Sequence, residues 1–449
     1  MLEELSTGVR DGSIDPVDLI NESLSRISDA KNLNAVVALY ADEALELAKN
    51  HNRQGLLAGL PLLVKDMARV KGHITTSGSR LYANGPADPT DDTVVARLRA
   101  EGAIVIGRTN SPEFGATAYT CNQVFGATRN PWNTDKSPGG SSGGSSAALA
   151  AGLTPLATTS DGGGSVRGPA AAAGLVGYKP TMGAIGRNIL PRWIEFSTQG
   201  TTNSTVADVL YEAHITLGEA RGDFLSVPRS GITLTPTQPT KVLACRTFRT
   251  DVDPEIEANF EKTLEAIAAS GIPVERVESP SNNDTIWNWF VISTAELTQS
   301  LRHEEHRWDQ LSDYVQQQLK FGSTVTIDQY IAAQRSRHEV SARFDDLLVN
   351  GAVLVTPTAN ARSWPAEGPL PTRAGSTDDP MITLNTPDNN FTGHPAVSVP
   401  MGVDHHGVPC GIQVVAPRFQ DGLALGLAAH LEKIQPWPLT APGYKRFSL

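Results

Sequence analysis

The stretch Asp135–Gly174, DKSPGGSSGGSSAALAAGLTPLATTSDGGGSVRGPAAAAG, sets two clusters of glycine and serine on either side of an alanine- and leucine-rich segment. Three readings compete for it: a flexible linker, a phosphate cradle, or part of an active site. A linker has no reason to hold an apolar helix and strand between its polar parts. Here SSAALAAGL reads as a helix of small residues and LTPLATTSD as a strand. No G-x-x-x-x-G-K-[ST] motif occurs, and neither cluster fits G-x-G-x-x-G. GGSSG and GSSGG both fit G-x-S-x-G, the nucleophile elbow of α/β-hydrolases, but that arrangement needs a histidine base. His394 and His430 lie downstream, and neither is marked out by its context.

The second cluster has the shape of a catalytic turn. SDGGGSVRGP places Ser165 after three consecutive glycines, where a strand gives way to a helix starting near Pro169. Glycines open backbone conformations closed to other residues. Their N–H groups can converge where negative charge develops during attack on a carbonyl. Asp161 and Arg167 flank the turn and can pair across it. Ser165 then needs a base, and lysine serves in some serine hydrolases. In GLPLLVKDM an apolar run, read as a buried strand, ends at Lys65. A free lysine titrates near about 10.4, so acting near neutrality requires a drop of roughly 3 units, about 4 kcal/mol. Burial and peptide dipoles can supply it.

The remaining chain bounds the class. It has 449 residues, a net charge of -11 and three scattered cysteines, Cys121, Cys245 and Cys410. The acidic balance argues against a nucleic-acid partner. The cysteines form neither a disulfide framework nor a metal-spaced set. HEEH at 303–306 is not H-E-x-x-H and reads as a solvated helix face, so no metal is expected. The N-terminus lacks the pattern of a signal peptide, and no apolar run reaches the ~20 residues of a membrane span. The expectation is a cytoplasmic protein without membrane contact.

Helices are expected at 16–29, 41–50, 93–102, 254–270 and 421–434, and over most of 283–350. Buried strands are expected at 103–110, 351–358, 395–400 and 410–417, with a long surface loop over 357–380. Helices alternating with short apolar strands indicate an α/β fold.

These segments together resemble the amidase signature family of serine hydrolases. GLPLLVKD is similar to the family's lysine motif, and FGATRNPWNTDKSPGGSSGGSSAALAAG to its glycine-serine core. SDGGGSVRGPAAAAGLVGYKPT resembles its nucleophile motif, and PAVSVPMG and PCGIQVVAP its C-terminal strands. The resemblance implies a single domain over 1–449, with a core at about 55–215 and 345–435 and a mainly helical variable region at about 215–345. It implies a large central mixed, mostly parallel β-sheet covered by helices on both faces. It further implies Ser-cisSer-Lys catalysis. Ser165 matches the nucleophile, Ser141 the bridging serine after a cis peptide, and Lys65 the general base. The N–H groups of Gly162, Gly163, Gly164 and Ser165 would form the oxyanion hole, with Ser142, Asp161 and Arg167 in support. No cofactor is implied.

Two departures stand out. The chain reads GTTNSTVAD at 200–208, with Ser204 where the family often has arginine. Gly163 stands where many members carry a bulkier residue, as in members that cleave nylon oligomers and aryl amides. The expected substrate is therefore a small aryl or alkyl amide, with carbamates and esters as further candidates. Pocket walls are expected from 183–199 and 381–393, with Ile189, Leu190, Trp193 and Phe196 as apolar surfaces and Asn389 as a polar one. A monomer or homodimer is expected. The alternatives are an amidase-like glutaminase subunit of a tRNA-dependent amidotransferase, or a non-catalytic binding module.

Overall fold

The computed structural model describes residues 1–361, 363–370 and 384–449. Eight strands form one sheet in the order Val274–Arg276, Lys241–Ala244, Ala352–Pro357, Pro409–Val415, Ala396–Val403, Val176–Lys179, Thr198–Asn203 and Thr159–Asp161. A second sheet runs Val36–Leu39, Ile104–Thr109, Pro61–Lys65 and Leu156–Ala157. One segment links them, because Leu156–Ala157 and Thr159–Asp161 flank Thr158 in a single extended run.

The sheets are mixed, but antiparallel pairing dominates the larger one, in place of the mostly parallel order expected. The two pairings of Lys241–Ala244, with Val274–Arg276 and with Ala352–Pro357, are the parallel ones there among the described residues. The other pairings, from Ala352–Pro357 across to Thr159–Asp161, are antiparallel. The cause is local in part. Ala396–Val403 and Pro409–Val415 are joined by so short a turn that they can only form a hairpin.

Side-chain alternation covers both faces of the larger sheet. Val242, Val353, Val397 and Val414 point into one core with the helices Val206–Thr216, Pro254–Ala269 and Asp421–Ile434. Their neighbours Leu243, Leu354, Ala396 and Val415 point into another, under Asn283–Ser300 and Ile327–Leu347. The smaller sheet repeats the pattern, with Leu62 and Val64 on one side and Leu63 on the other.

Local chemistry sets the helix starts. Asp15 accepts from the Val17 N–H ahead of Pro16, and Asp253 caps the helix beginning at Pro254 in the same way. Gly102, at φ +94°, follows the helix Thr93–Ala100 and turns the chain into Ile104–Thr109. The helix of small residues, Gly143–Ala150, is buried along its whole length. A Cβ on Gly144 would overlap the backbone of Asn110, so only glycine lets this helix approach so closely. Besides the helices Pro254–Ala269, Asn283–Ser300, Asp313–Gly322 and Ile327–Leu347, the 215–345 region contributes the edge strand Val274–Arg276 and its neighbour Lys241–Ala244. Part of the loop expected at 357–380, and residues 381–383 of the expected pocket wall, lie outside the described residues.

Candidate active site

The strand Pro61–Lys65 is buried at every residue and ends by delivering Lys65 beneath both serine clusters. The Lys65 side chain is 1% exposed. Its Nζ lies 2.8 Å from Ser141 Oγ, 2.9 Å from Ser142 Oγ and 3.1 Å from Ser160 Oγ. Three hydroxyls thus surround it, and among the described residues no carboxylate lies within ion-pair distance of it. Burial lowers its pKa to about 7, against a smaller opposing pull from Asp161. The Gly140–Ser141 peptide is cis. Ser142 also exchanges hydrogen bonds with the Ser160 backbone, tying the first cluster to the strand that leads into the second.

Ser165 lies at the junction of two cavities. One, about 990 Å³, is lined by Lys65, Ser141, Ser160 and Ser165 among others. The other, about 90 Å³, runs from Ser165 past Gly163, Gly164 and Trp289 toward Ile256 and Val408. Trp193 and Gly115 line both. The Ser165 hydroxyl has no hydrogen-bond partner among the described residues and faces the cavities.

The glycine turn is clamped from outside. Trp289 Nε1 donates to Gly162 O at 3.1 Å, and Thr386 Oγ1 donates to Gly163 O at 2.8 Å. Fixing these carbonyls fixes the peptide planes, and with them the N–H groups that face the other way. Gly164 differs from its neighbours. Its N–H donates to Asp161 Oδ1 at 2.6 Å, so it is not free to receive an oxyanion. Of the four N–H groups expected as donors, those of Gly162, Gly163 and Ser165 take no protein acceptor among the described residues. Side chains are excluded here as well. A Cβ on Gly162 would sit 2.5 Å from Trp193 Cε3, and one on Gly163 would sit 2.6 Å from Trp289 Cζ2.

Asp161 and Arg167 form a fully buried bidentate pair, with 2.9 Å from both Nε and Nη2. Burial alone would raise the Asp161 pKa, but the Arg167 charge and hydrogen bonds hold it well below the usual carboxylate range. Arg167 also donates to Thr386 O, Gln413 Oε1 and Asn390 Oδ1. Asn390 in turn donates to Asp161. The turn carrying Ser165 is thereby locked to the segment 386–390 and to the strand Pro409–Val415.

Of the expected pocket residues, Trp193, Ile189 and Leu190 line the larger cavity, Leu190 at its exposed rim. Two others do not line either cavity. Phe196 is 1% exposed and stacks behind Trp289 in the core, with ring centroids 6.2 Å apart. Asn389 is fully buried and turns its Oδ1 toward Arg167, 3.3 Å away. Ser204 sits away from the site, where its carbonyl accepts from Trp437 Nε1. His394 pairs with Thr392 and Asp345, and His430 with Ser270, so neither serves Ser165. The HEEH run is an exposed 3-10 stretch. Ser160, Trp289, Thr386 and Asn390 escaped the sequence reading. Ser160, inside the quoted stretch, was within reach of it; the others come from distant segments with no local pattern to mark them.

A family model described as amidase matches residues 18–425. An acylamidase from Rhodococcus erythropolis is 31% identical over 97% of this chain and 95% of its own length. A glutamyl-tRNA(Gln) amidotransferase subunit from Halothermothrix orenii is also 31% identical, over 96% of each chain. A bacterial aryl acylamidase of the amidase signature family superposes with a TM-score of 0.88 at 28% identity, covering 97% of this chain and 96% of its own. A 6-aminohexanoate cyclic dimer hydrolase in complex with substrate gives 0.89 at 27% identity, covering 98% of each. With the fold, the motifs and the family match in agreement, the chain belongs to the amidase signature family and is a hydrolase of amide carbon–nitrogen bonds.

Proposed function

We propose that the protein hydrolyses small aryl or alkyl amides through a Lys65–Ser141–Ser165 relay and an acyl-enzyme. The observation that carries this is a fully buried lysine with a pKa near 7, 2.8 Å from a serine hydroxyl that shares a cavity with Ser165. Neutral Lys65 accepts the Ser141 proton while Ser141 accepts that of Ser165. Ser165 Oγ attacks the carbonyl carbon, and the oxyanion is received by the N–H groups of Gly162, Gly163 and Ser165. Ser141 then protonates the departing amine and is reprotonated by Lys65. Water enters by the same relay and releases the acid. Carbamates and esters present the same carbonyl geometry and are expected to be turned over too.

A panel of anilides, primary amides, carbamates and esters, assayed with Lys65→Ala, Ser141→Ala and Ser165→Ala, tests the reading. Loss of nearly all amide turnover is expected in the Lys65 and Ser165 variants. Ser141→Ala should retain more, and full activity there would remove the bridging role. Absence of wild-type turnover, with no labelling of Ser165 by a serine-directed inhibitor, would overturn the mechanism. The relatives named as amidotransferase subunits favour a second reading, a glutaminase working within a complex. It requires that ammonia be released from glutamine only with partner subunits present.

A further inference from the structure

Among the described residues, the larger cavity contains one cation that neither the proposed mechanism nor the fold accounts for. Arg69 faces Asp88 at 3.6 Å, Arg187 faces Asp223 at 3.3 Å, and Lys65 belongs to the relay. Arg192 also lines this cavity, and among the described residues no carboxylate lies within ion-pair distance of it. Its guanidinium carbon lies 4.6 Å from the Phe114 ring centroid and 5.8 Å from that of Tyr82. Aromatic contact holds the flat face of the guanidinium, and the Tyr82 hydroxyl engages part of its N–H edge, leaving the other donors without a carboxylate partner among the described residues.

The backbone under Arg192 is fixed. The Ile194 N–H donates to Glu296 Oε2 at 2.7 Å, and Arg187 Nη1 donates to Ile194 O at 2.7 Å and Ser197 O at 3.1 Å. The neighbouring acids do not neutralise the edge. Glu296 accepts from Ile194 and from the Tyr330 hydroxyl, and burial pushes its pKa up to about 7. Asp92 accepts from the Arg69 backbone N–H at 2.9 Å, and Asp88 is held between Arg69 and Arg108.

Position then identifies the half of the substrate that Arg192 meets. Phe114 adjoins Gly115, where an added Cβ would come within 3.1 Å of Ser141 Oγ. The guanidinium therefore stands on the Ser141 side of the nucleophile. On the relay proposed above, Ser141 hands its proton to the departing amine, so that side takes the amine half. On the same relay, the narrow cavity past Trp289 and Ile256 is left for the acyl half.

We propose that Arg192 is a specificity-determining residue that binds a carboxylate on the leaving amine, so that the preferred substrates are N-acylated aminocarboxylic acids. The proposal rests on the amidase reading of the same site. The reaction is R–CO–NH–R′–COO⁻ with water giving R–COO⁻ and ⁺H₃N–R′–COO⁻. The carbon–nitrogen bond breaks, the water oxygen joins the acyl carbon, and both water hydrogens end on the amine.

The test compares 4-butyramidobenzoate with its neutral carboxamide, 4-butyramidobenzamide, in the wild type, Arg192→Met and Arg192→Lys. The readout is the ratio of the two kcat/KM values within each protein. The wild-type ratio should favour the carboxylate by about tenfold or more, mainly through KM. The ratio should collapse toward one in Arg192→Met and fall partway in Arg192→Lys, which keeps the charge but loses the fork. A purely structural arginine would lower both substrates together and leave the ratio unchanged, which would overturn the proposal. A wild-type ratio near one would overturn it as well. Should Arg192→Met fail to fold, the wild-type and Arg192→Lys ratios decide alone. Failure of the amidase reading is distinct, since it would show as no turnover of either substrate and no labelling of Ser165.

Discussion

Replacing Lys65 with methionine should make the protein more resistant to heat at mildly acidic pH and less so at alkaline pH. Lys65 has a pKa of about 7 when folded, against 10.5 for the unburied group. Below about pH 7 it is protonated in both states, and the buried charge weakens the fold in full. Between about pH 7 and 10.5 the unfolded chain holds a proton that the folded protein lacks, so stability rises with pH. Above that range the difference vanishes. Converted at 1.36 kcal/mol per unit, the full swing is about 5 kcal/mol. Methionine carries no such dependence. It leaves the hydroxyls of Ser141, Ser142 and Ser160 without their shared donor, at roughly 1 kcal/mol each, and this penalty does not vary across the window.

The change in the difference between the two proteins is therefore the measurement, rather than its level at one pH. An unfolding entropy of about 2.1 cal/mol/K per residue gives ~0.9 kcal/mol/K for this chain. The Tm of wild type minus that of Lys65→Met should then rise by about 4–5 °C between pH 6 and pH 10. Calorimetry or dye-based melts in matched buffers read it directly. Lys179 is also fully buried with a pKa near 7, but it is present in both proteins and cancels. In parallel, wild-type kcat/KM should climb with pH through a midpoint near 7. A Tm difference that stays flat from pH 6 to 10, or an activity midpoint above about 9, would refute a buried, neutral lysine base.

Two further substitutions probe the turn and its support. Gly164 has φ +121°, and a Cβ there would overlap the Thr386 side chain, so Gly164→Ala should cost about 3 kcal/mol in thermal or denaturant unfolding and lower kcat more than it changes KM. Arg167→Met removes one partner of a fully buried ion pair and should destabilise by roughly 3–5 kcal/mol. The Asp161 contribution in the wild type is present above the ordinary aspartate range and is lost only as pH falls far below it. In Arg167→Met the loss should begin at higher pH, and the activity midpoint should move up, because Asp161 would then act on Lys65 without its counter-charge.

The residues that were legible share one property: a signal within a few positions of themselves. Lys65 ends an apolar run, and Ser165 follows three glycines. The pocket walls lack such signals. Phe196 sits three residues from Trp193 in an irregular segment, where no periodicity assigns a face. Trp193 lies against Gly162 while Phe196 turns into the core, and composition treats the two alike. Asn389 and Asn390 are adjacent and identical in type. One is drawn to Arg167 alone, whereas the other bridges Arg167 and Asp161. Trp289 and Thr386 arrive from helix and loop segments more than a hundred residues away to hold Gly162 and Gly163. Such partners are fixed by tertiary packing, which a local reading does not contain. The antiparallel weight of the large sheet has the same origin, since strand direction follows from which strands meet.

The surroundings of Lys65 also explain why serines, and not acids, crowd it. A buried ammonium beside a carboxylate is stabilised in its charged form, which raises its pKa and removes the base. Three hydroxyls can accept from the ammonium or donate to the neutral amine, so they serve the group in either state and add no negative charge beside it. The anion that does act on Lys65, Asp161, has a different task, gripping the N–H groups of Gly164 and Val166 to shape the turn that carries Ser165. Arg167 reconciles the two demands. It neutralises Asp161 at close range while its other donors reach Thr386, Asn390 and Gln413. The buried pair is thus part of the electrostatics of Lys65, the base of the proposed relay, even though neither partner lines the cavities.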